Sequence, residues 1–302
     1  MNKRVSVIIP TYGGPDFLER CINSVLAQTY NNIEAVVVDD NGLGTEQQLR
    51  TEKVMRQYAD DGRVKYVCHD VNINGSAARN TGVKNSTGDY IALMDDDDIF
   101  YPEKIERQVR LMETLPEDYA VTYCACDIYY RDKKVGESKA EKSGKLLYEC
   151  LTHQIQIAST SMLIRKSAYL SIGGFDESFR RHQDWEFIAR IAAKYSIRAD
   201  NFIGFRRYLE FRNKLGTPEI YKERRLYYLK KMAPLIETLS SKQQKEVVVG
   251  NRMEVALMFL KHKRYIDFIK EYKEIAPGLM GVKWIIKRLG RILGRGKLRM
   301  AN

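Results

Sequence analysis

Four consecutive carboxylates, Asp95-Asp96-Asp97-Asp98, follow directly on the apolar run Tyr90-Ile91-Ala92-Leu93-Met94. A five-residue apolar run after Gly88 and Asp89 reads as a buried strand. Four carboxylates at its end repel one another unless a cation neutralises them. Hard oxygen ligands at the mouth of an α/β sheet suit Mg²⁺ or Mn²⁺, with substrate phosphates completing the shell. The competing reading is a solvated acidic loop at a helix start, since Ile99 to Leu115 has helical spacing. Direct abutment on a buried strand favours the metal-and-phosphate reading. A second acidic pair, Asp39-Asp40, ends the apolar run Ile33 to Val38 in the same manner. A further carboxylate, Asp184, opens the helical pattern Asp184-Trp185-Glu186-Phe187-Ile188. There it serves equally well as a first-turn or N-cap acid or as a general base.

The elements that must position these groups alternate along the first 130 residues. Strands are predicted at Val5–Ile9, Ile33–Val38, Val64–Val67 and Tyr90–Met94, with helices at Phe17–Ala27, Thr45–Tyr58 and Gly75–Lys84. Such alternation predicts a parallel α/β sheet that binds its ligands at the carboxyl ends of the strands. Thr11-Tyr12, Asp39-Asp40 and Asp95 to Asp98 all fall at such ends.

Composition narrows the function classes. The chain has 302 residues, 44% hydrophobic and 29% charged, as expected of a globular protein with a substantial core. Its five cysteines form no Cys-x-x-Cys pair, so neither a zinc site nor a disulfide framework is indicated, and they read as reduced thiols of a cytosolic protein. No apolar stretch reaches membrane-span length, and Met1-Asn2-Lys3-Arg4 does not read as a signal peptide. The net charge of +11 is concentrated at one end. From Gly281 to Asn302 seven basic residues occur with no acidic one, leaving only +4 on the rest. That pattern argues against a nucleic-acid binder and for a basic tail on a nearly balanced body. Gly42-Leu43-Gly44 resembles the start of a dinucleotide fingerprint, but Gln47 stands at the third glycine position and the acidic pair precedes the glycines. These glycines read as a turn, which argues against hydride transfer.

The segments Val5 to Tyr12, Ser24 to Tyr30 and Val38-Asp39-Asp40-Asn41 together resemble an inverting nucleotide-sugar glycosyltransferase of family 2. The resemblance continues through Gly75-Ser76-Ala77-Ala78-Arg79-Asn80-Thr81-Gly82 and Met94 to Asp98. It resumes at Gly173-Gly174-Phe175-Asp176-Glu177 and Gln183-Asp184-Trp185-Glu186. It covers roughly residues 3 to 210, and the ordered set is far more specific than any one motif. It implies the GT-A fold, a nucleotide-diphosphate sugar donor and a divalent metal.

The resemblance also implies roles for individual residues. Asp40 accepts from the base, where a carboxylate suits the N3–H of uracil. Asp39 contacts the ribose or orients its neighbours, or caps the following turn. Pro10, Thr11 and Tyr12 line the nucleoside pocket, although Tyr12 also reads as a core aromatic. Asn74 and Arg79 face the base or diphosphate, and Arg79 serves equally as an ion-pair partner of the acidic loop. Asp95 and Asp97 correspond to the Asp-x-Asp metal pair for Mn²⁺ or Mg²⁺, with Asp97 bound directly and Asp95 through water. Of Asp96 and Asp98, one hydrogen-bonds the donor and the other shapes the loop. Asp184 is the implied general base and Glu186 its understudy, while His182 reads as a surface histidine.

From Pro218 onward the pattern changes to long helices, Glu219 to Ile236, Lys242 to Lys261 and Arg264 to Ile275, without a catalytic constellation. They read as an appendage that packs on the catalytic domain or mediates a homodimer. In the last segment Val282, Ile285, Ile286, Leu289, Ile292 and Leu293 share one helical face, and Lys283, Lys287, Arg291 and Arg295 another. That describes an interfacial membrane helix, with Trp284 on the basic side and a tail packed on protein as the alternative.

The sequence thus predicts an α/β, mostly parallel GT-A sheet flanked by helices over 1–215, a helical appendage over 216–280 and a basic amphipathic tail over 281–302. The expected activity is metal-dependent, inverting transfer from a UDP-sugar to a glycan or lipid-linked acceptor in cell-surface polysaccharide synthesis. The expected place is the cytoplasmic face of the membrane, with no nucleic-acid partner. The competing class is a non-catalytic sugar-nucleotide or glycan-binding module of the same fold.

Overall fold

The computed structural model describes residues 3–209 and 216–275. The described residues divide into two compact units, one of residues 3–146 with 156–209 and one of 147–155 with 216–275.

In the first unit the strand and helix signals alternate as β1 (Val5–Thr11), α1 (Leu18–Leu26), β2 (Ile33–Asp39), α2 (Glu46–Met55), β3 (Val64–Cys68), α3 (Gly75–Lys84) and β4 (Tyr90–Leu93). Every residue of β2 and β4 is buried, as are all but one of β1. That burial explains why these strands read as continuous apolar runs instead of alternating ones. β1 lies between β2 and β4 and is parallel to both, with Ile8 opposite Val36 and Leu93. The carboxyl ends of three strands therefore emerge on one edge, bringing Thr11, Asp39-Asp40 and the Asp95–Asp98 run together. α3 packs closely on β1, since a Cβ at Gly82 would lie 2.3 Å from Ile8 Cγ2. Only glycine allows that approach.

The helix expected from Ile99 begins later. Ile99–Phe100 forms the short strand β5, and α4 spans Lys104–Glu113. Pro102 and the Ser24 hydroxyl, which accepts from the Phe100 N–H at 3.1 Å, account for the delay. The rest of the sheet comes from β6 (Tyr119–Tyr130), β7 (Lys133–Glu137), β8 (Met162–Arg165) and β9 (Ser196–Tyr208). The nine-stranded order is β3-β2-β1-β4-β8-β6-β9-β5, with β7 paired to β6. β8 runs antiparallel to β4 and β6, whereas β6 and β9 are parallel. The short helix Lys166–Ser171 follows β8, and a longer helix, Gln183–Lys194, precedes β9.

The second unit contains the short helix α5 (Leu147–Leu151), α8 (Pro218–Glu237), α9 (Ser241–Lys261) and α10 (Tyr265–Ile275), with α6 and α7 denoting the two helices before β9. Thr217 caps α8 with proline in its first turn, and Ser240 and Gln243 form a capping box on α9. Arg225, buried in α8, donates to Asn251 Oδ1 at 2.8 Å, and Asn251 donates to the Leu151 carbonyl at 3.0 Å. That polar knot places α5 with the C-terminal helices. The expected tail over 281–302 lies outside the described residues.

Candidate active site

At the end of β2 the two acids have different partners. Asp39 Oδ1 accepts from the Asn41 backbone and side-chain nitrogens, and Tyr66 donates to Asp39 Oδ2 at 2.7 Å. Asp39 thus organises the turn, and Asn41 in turn accepts from the Gly13 N–H at 2.8 Å. Asp40 Oδ1 meets His69 Nδ1 at 2.7 Å and the Ile73 N–H at 2.9 Å, while Asn72 donates to Oδ2 at 2.8 Å. A carboxylate has about four acceptor positions, so one direction on Oδ2 is left for a further donor. His69 Nε2 lies 2.9 Å from Thr81 Oγ1. Nδ1–H donates to Asp40, and in the neutral ring Nε2 accepts from Thr81.

Around β1, Pro10 is partly buried, Thr11 is buried and Tyr12 is 61% exposed, so Tyr12 is not a core aromatic. The Thr11 hydroxyl donates to Asp96 Oδ2 at 2.7 Å, tying the first strand end to the acidic run.

The four acids after β4 are not equivalent. Asp98 is buried, accepts from Thr160 Oγ1 at 2.6 Å and meets the Tyr208 N–H at 3.3 Å. Burial, then the charges of Asp95 and Asp97, push its carboxyl well above the ordinary range. Its bonds to Thr160 and the Tyr208 N–H fix the end of the acidic run. Asp95, Asp96 and Asp97 are only partly buried. Arg20 supports the loop from α1. It donates to the Asp97 carbonyl at 3.1 Å and lies over the Phe17 and Tyr208 rings at 4.3 and 4.1 Å.

Arg79 spans the cleft. From α3 it donates Nη2 to Asp95 Oδ1 at 2.7 Å and Nη1 to Gln183 Oε1 at 2.9 Å. Gln183 begins α7 and is followed by Asp184. Burial raises the Asp184 carboxyl above its ordinary value, and Asp95 pushes it the same way, while Arg207 and Arg79 pull it back. Asp184 thus lies near enough to the acidic run to feel the charge of Asp95. Its Oδ1 accepts from the Trp185 N–H at 3.0 Å. Glu186, by contrast, is buried against Arg190. Arg190 also donates to the carbonyls of Ile172 and Gly174, so this pair is structural and Glu186 is withdrawn as a base. His182 stacks on Trp185 with ring centroids 3.9 Å apart.

Several residues of the motifs hold this frame together. Asn74 caps α3 through Ser76 and Ala77 and donates to the Glu177 carbonyl at 2.9 Å. Asn80 accepts from Tyr169 and the Phe175 N–H, and donates to Glu177 Oε1 at 2.8 Å. Asn74 therefore acts on the frame here, and Arg79 on the acidic loop.

Arg207, His69, Thr160 and Arg20 were missed by sequence reasoning. Each is an ordinary polar residue without a spacing signal, and Arg207 and Thr160 lie on elements the pattern did not predict. Arg207 is solvent-accessible, and Asp98, Asp95 and Asp184 raise its pKa against the opposing effect of desolvation.

Among the described residues no group of three or more His, Cys, Asp or Glu is arranged to hold a metal ion. Asp95 and Asp97 nevertheless fit a hard cation that takes its other oxygens from a diphosphate and water, since Mg²⁺ and Mn²⁺ sites are commonly built from one or two carboxylates. The Asp95 side chain is 40% exposed, so its carboxylate is accessible to such a ligand.

The comparisons agree with this architecture. Among curated proteins, an uncharacterized glycosyltransferase of Rickettsia typhi is 31% identical over 206 residues, covering 63% of this chain and 60% of the relative. The amylovoran biosynthesis glycosyltransferase AmsB of Erwinia amylovora is 26% identical over 196 residues, 61% of this chain and 62% of the relative. The chain therefore spans about three fifths of the length of these relatives. Among solved structures, S. aureus TarS 1-349 in complex with UDP superposes with a TM-score of 0.61 at 15% identity, covering 90% of each chain. The mannosyltransferase PcManGT of Pyrobaculum calidifontis, in complex with GDP-Man and Mn²⁺, gives 0.60 at 16% identity, covering 96% of this chain and 81% of that one. These likenesses establish the GT-A fold. The model of glycosyl transferase family 2 matches residues 6–172, more than half of the chain, which runs from β1 through the acidic run to the end of α6. The chain belongs to glycosyl transferase family 2.

Proposed function

We propose that the protein transfers a sugar, with inversion, from a UDP-sugar to a glycan or lipid-linked glycan acceptor in cell-surface polysaccharide synthesis. The observation that carries this reading is the Arg79 bridge, which ties Asp95 after β4 to Gln183 beside Asp184. A donor-side acid and an acceptor-side base thereby sit in one charged cleft.

Pro10, Thr11 and Tyr12 line the nucleoside pocket, and Asp40 offers its remaining acceptor direction to the base, with Asp39 fixing the turn. Arg79 and Arg207 face the diphosphate, and Asp96 supports the donor through its bond to Thr11. Asp184 takes the proton of the acceptor hydroxyl as that oxygen bonds to the anomeric carbon, and the sugar–phosphate bond breaks to release UDP. Asp95 and Asp97 would hold Mn²⁺ or Mg²⁺, which when bound with the diphosphate neutralises charge on the leaving group.

The UDP and UDP-GlcNAc complexes of TarS and the similarity to the amylovoran biosynthesis glycosyltransferase AmsB support the donor and pathway class. No helix among the described residues is long and apolar enough to cross a membrane. The basic segment 281–302 is proposed to bring the enzyme to the cytoplasmic membrane face, where a lipid-linked acceptor resides. A panel of UDP-sugars and GDP-mannose, assayed for hydrolysis with and without Mn²⁺, tests the donor. Nucleotide binding without turnover of any donor would favour the non-catalytic binding module instead.

A further inference from the structure

α10 carries two apolar faces, although packing on one neighbour requires only one. Its inward face is accounted for. Phe268 packs on Tyr221, Val255, Met258 and Phe259, and Tyr272 and Ile275 pack on Val249 and Met253. Its outward face holds Tyr265, Ile266 and Ile269, which are 58%, 71% and 48% exposed.

Charge is sorted between the two sides in the same way. Every acidic residue of α10 is drawn into an ion pair of this unit: Asp267 with Arg264 at 2.7 Å, Glu271 with Lys222 and Arg252, and Glu274 with Arg252 at 2.7 Å. The outward arc instead carries exposed Lys270 and Lys273, and the end of α9 and the turn after it add exposed Lys261 and Lys263. These four lysines make no ion pair among the described residues.

We infer that the outward face of α10 and the basic turn before it form a surface that lies against an anionic lipid bilayer. Exposed aromatic and aliphatic side chains enter the interface, and lysines with apolar stems reach the headgroups beside them. Three apolar side chains on one helix are few for a stable protein interface, which buries about 1,200–2,000 Å² in total. The sorted charge is what an anionic surface selects. The inference deepens the membrane location proposed above but uses none of the residues of segment 281–302.

Flotation of the full chain with phosphatidylserine-containing and pure phosphatidylcholine vesicles tests it. Ile266→Asp/Ile269→Asp, with the C-terminal segment intact, is expected to weaken binding to the anionic vesicles about tenfold or more while UDP affinity stays unchanged. Lys261→Glu/Lys270→Glu, on exposed positions, is expected to do the same and decides the matter if the aspartate variant fails to fold. Release by these variants but not by deletion of 281–302 supports the α10 surface and removes the role of the tail. Release by the deletion alone, with both α10 variants binding as wild type, overturns the inference and leaves the tail reading standing. Equal binding to the two vesicle types also overturns it. So does a dimer that the aspartate variant dissociates without any vesicle binding, since the occupant is then a second copy.

Discussion

His69 Nδ1 stands 2.7 Å from Asp40 Oδ1, and its other ring nitrogen stands 2.9 Å from the Thr81 hydroxyl. The carboxylate proposed to read the base is thus aimed by an imidazole that is itself held by α3. His69→Phe keeps the ring volume and removes both bonds. A hydrogen bond to a charged group contributes about 1.5–3 kcal/mol, so UDP affinity is expected to fall about tenfold or more, with Mn²⁺ affinity unchanged. Titration calorimetry with UDP checks it, and unchanged affinity would mean that His69 does not aim Asp40.

Asp184→Asn is expected to abolish transfer and leave UDP affinity near wild type. Burial raises the carboxyl pKa, so its ionised form costs stability at neutral pH, and the neutral amide relieves that cost. The variant should therefore melt at or above the wild-type temperature. The same shift moves the acidic limb of the rate profile upward from the ordinary aspartate value, with activity rising as Asp184 ionises. A melting curve and a pH–rate profile test both points, and lost UDP binding with a lowered melting temperature would instead make Asp184 structural.

Much of the donor side of the candidate site is legible because Asp39, Asp40 and the Asp95 to Asp98 run follow apolar runs that read as buried strands, whereas Asp184 opens a helix. Thr11, Asp39, Asp40 and the Asp95 to Asp98 run lie at or just after the ends of β1, β2 and β4, where the apolar runs of the sequence put them. The β6–β9 half was not legible. β9 mixes exposed and buried residues without strict alternation and carries register shifts against β6, so Arg207 gave no signal. The partition among acids is equally hidden, because Asp98 is set apart by partners distant along the chain, Thr160, 62 residues away, and the Tyr208 N–H, while Asp95 pairs with Arg79. Glu186, the understudy to Asp184, is paired with Arg190 one helical turn on, a partner whose role spacing alone does not reveal.

Lys104 in α4 is fully buried, donates to Gln108 at 2.7 Å and has its pKa lowered to about 8 by desolvation. Its charged form is thus disfavoured in the fold relative to the unfolded chain. That destabilisation is complete below pH about 8 and fades as pH rises toward the unfolded value of 10.5. Lys104→Met should raise stability by about 2 kcal/mol at pH 7 and lose its advantage above pH 10.5. Denaturant unfolding at the two pH values measures it, and a destabilised variant at pH 7 would contradict the sign.

Asp97→Asn removes a charge without changing size, and Mn²⁺ affinity in the presence of UDP should fall at least about tenfold, with folding intact. Mn²⁺ relaxation enhancement reads this directly. Wild-type affinity in the variant would move the metal away from Asp97.

The most direct test of the whole account is the turnover of a matched UDP-sugar by the wild-type protein and by Asp184→Asn, each with and without Mn²⁺. The account predicts UDP release that requires the metal in the wild type, and none in Asp184→Asn although it still binds UDP. Turnover by Asp184→Asn at the wild-type rate, or UDP binding by the wild type without turnover of any donor, would contradict it.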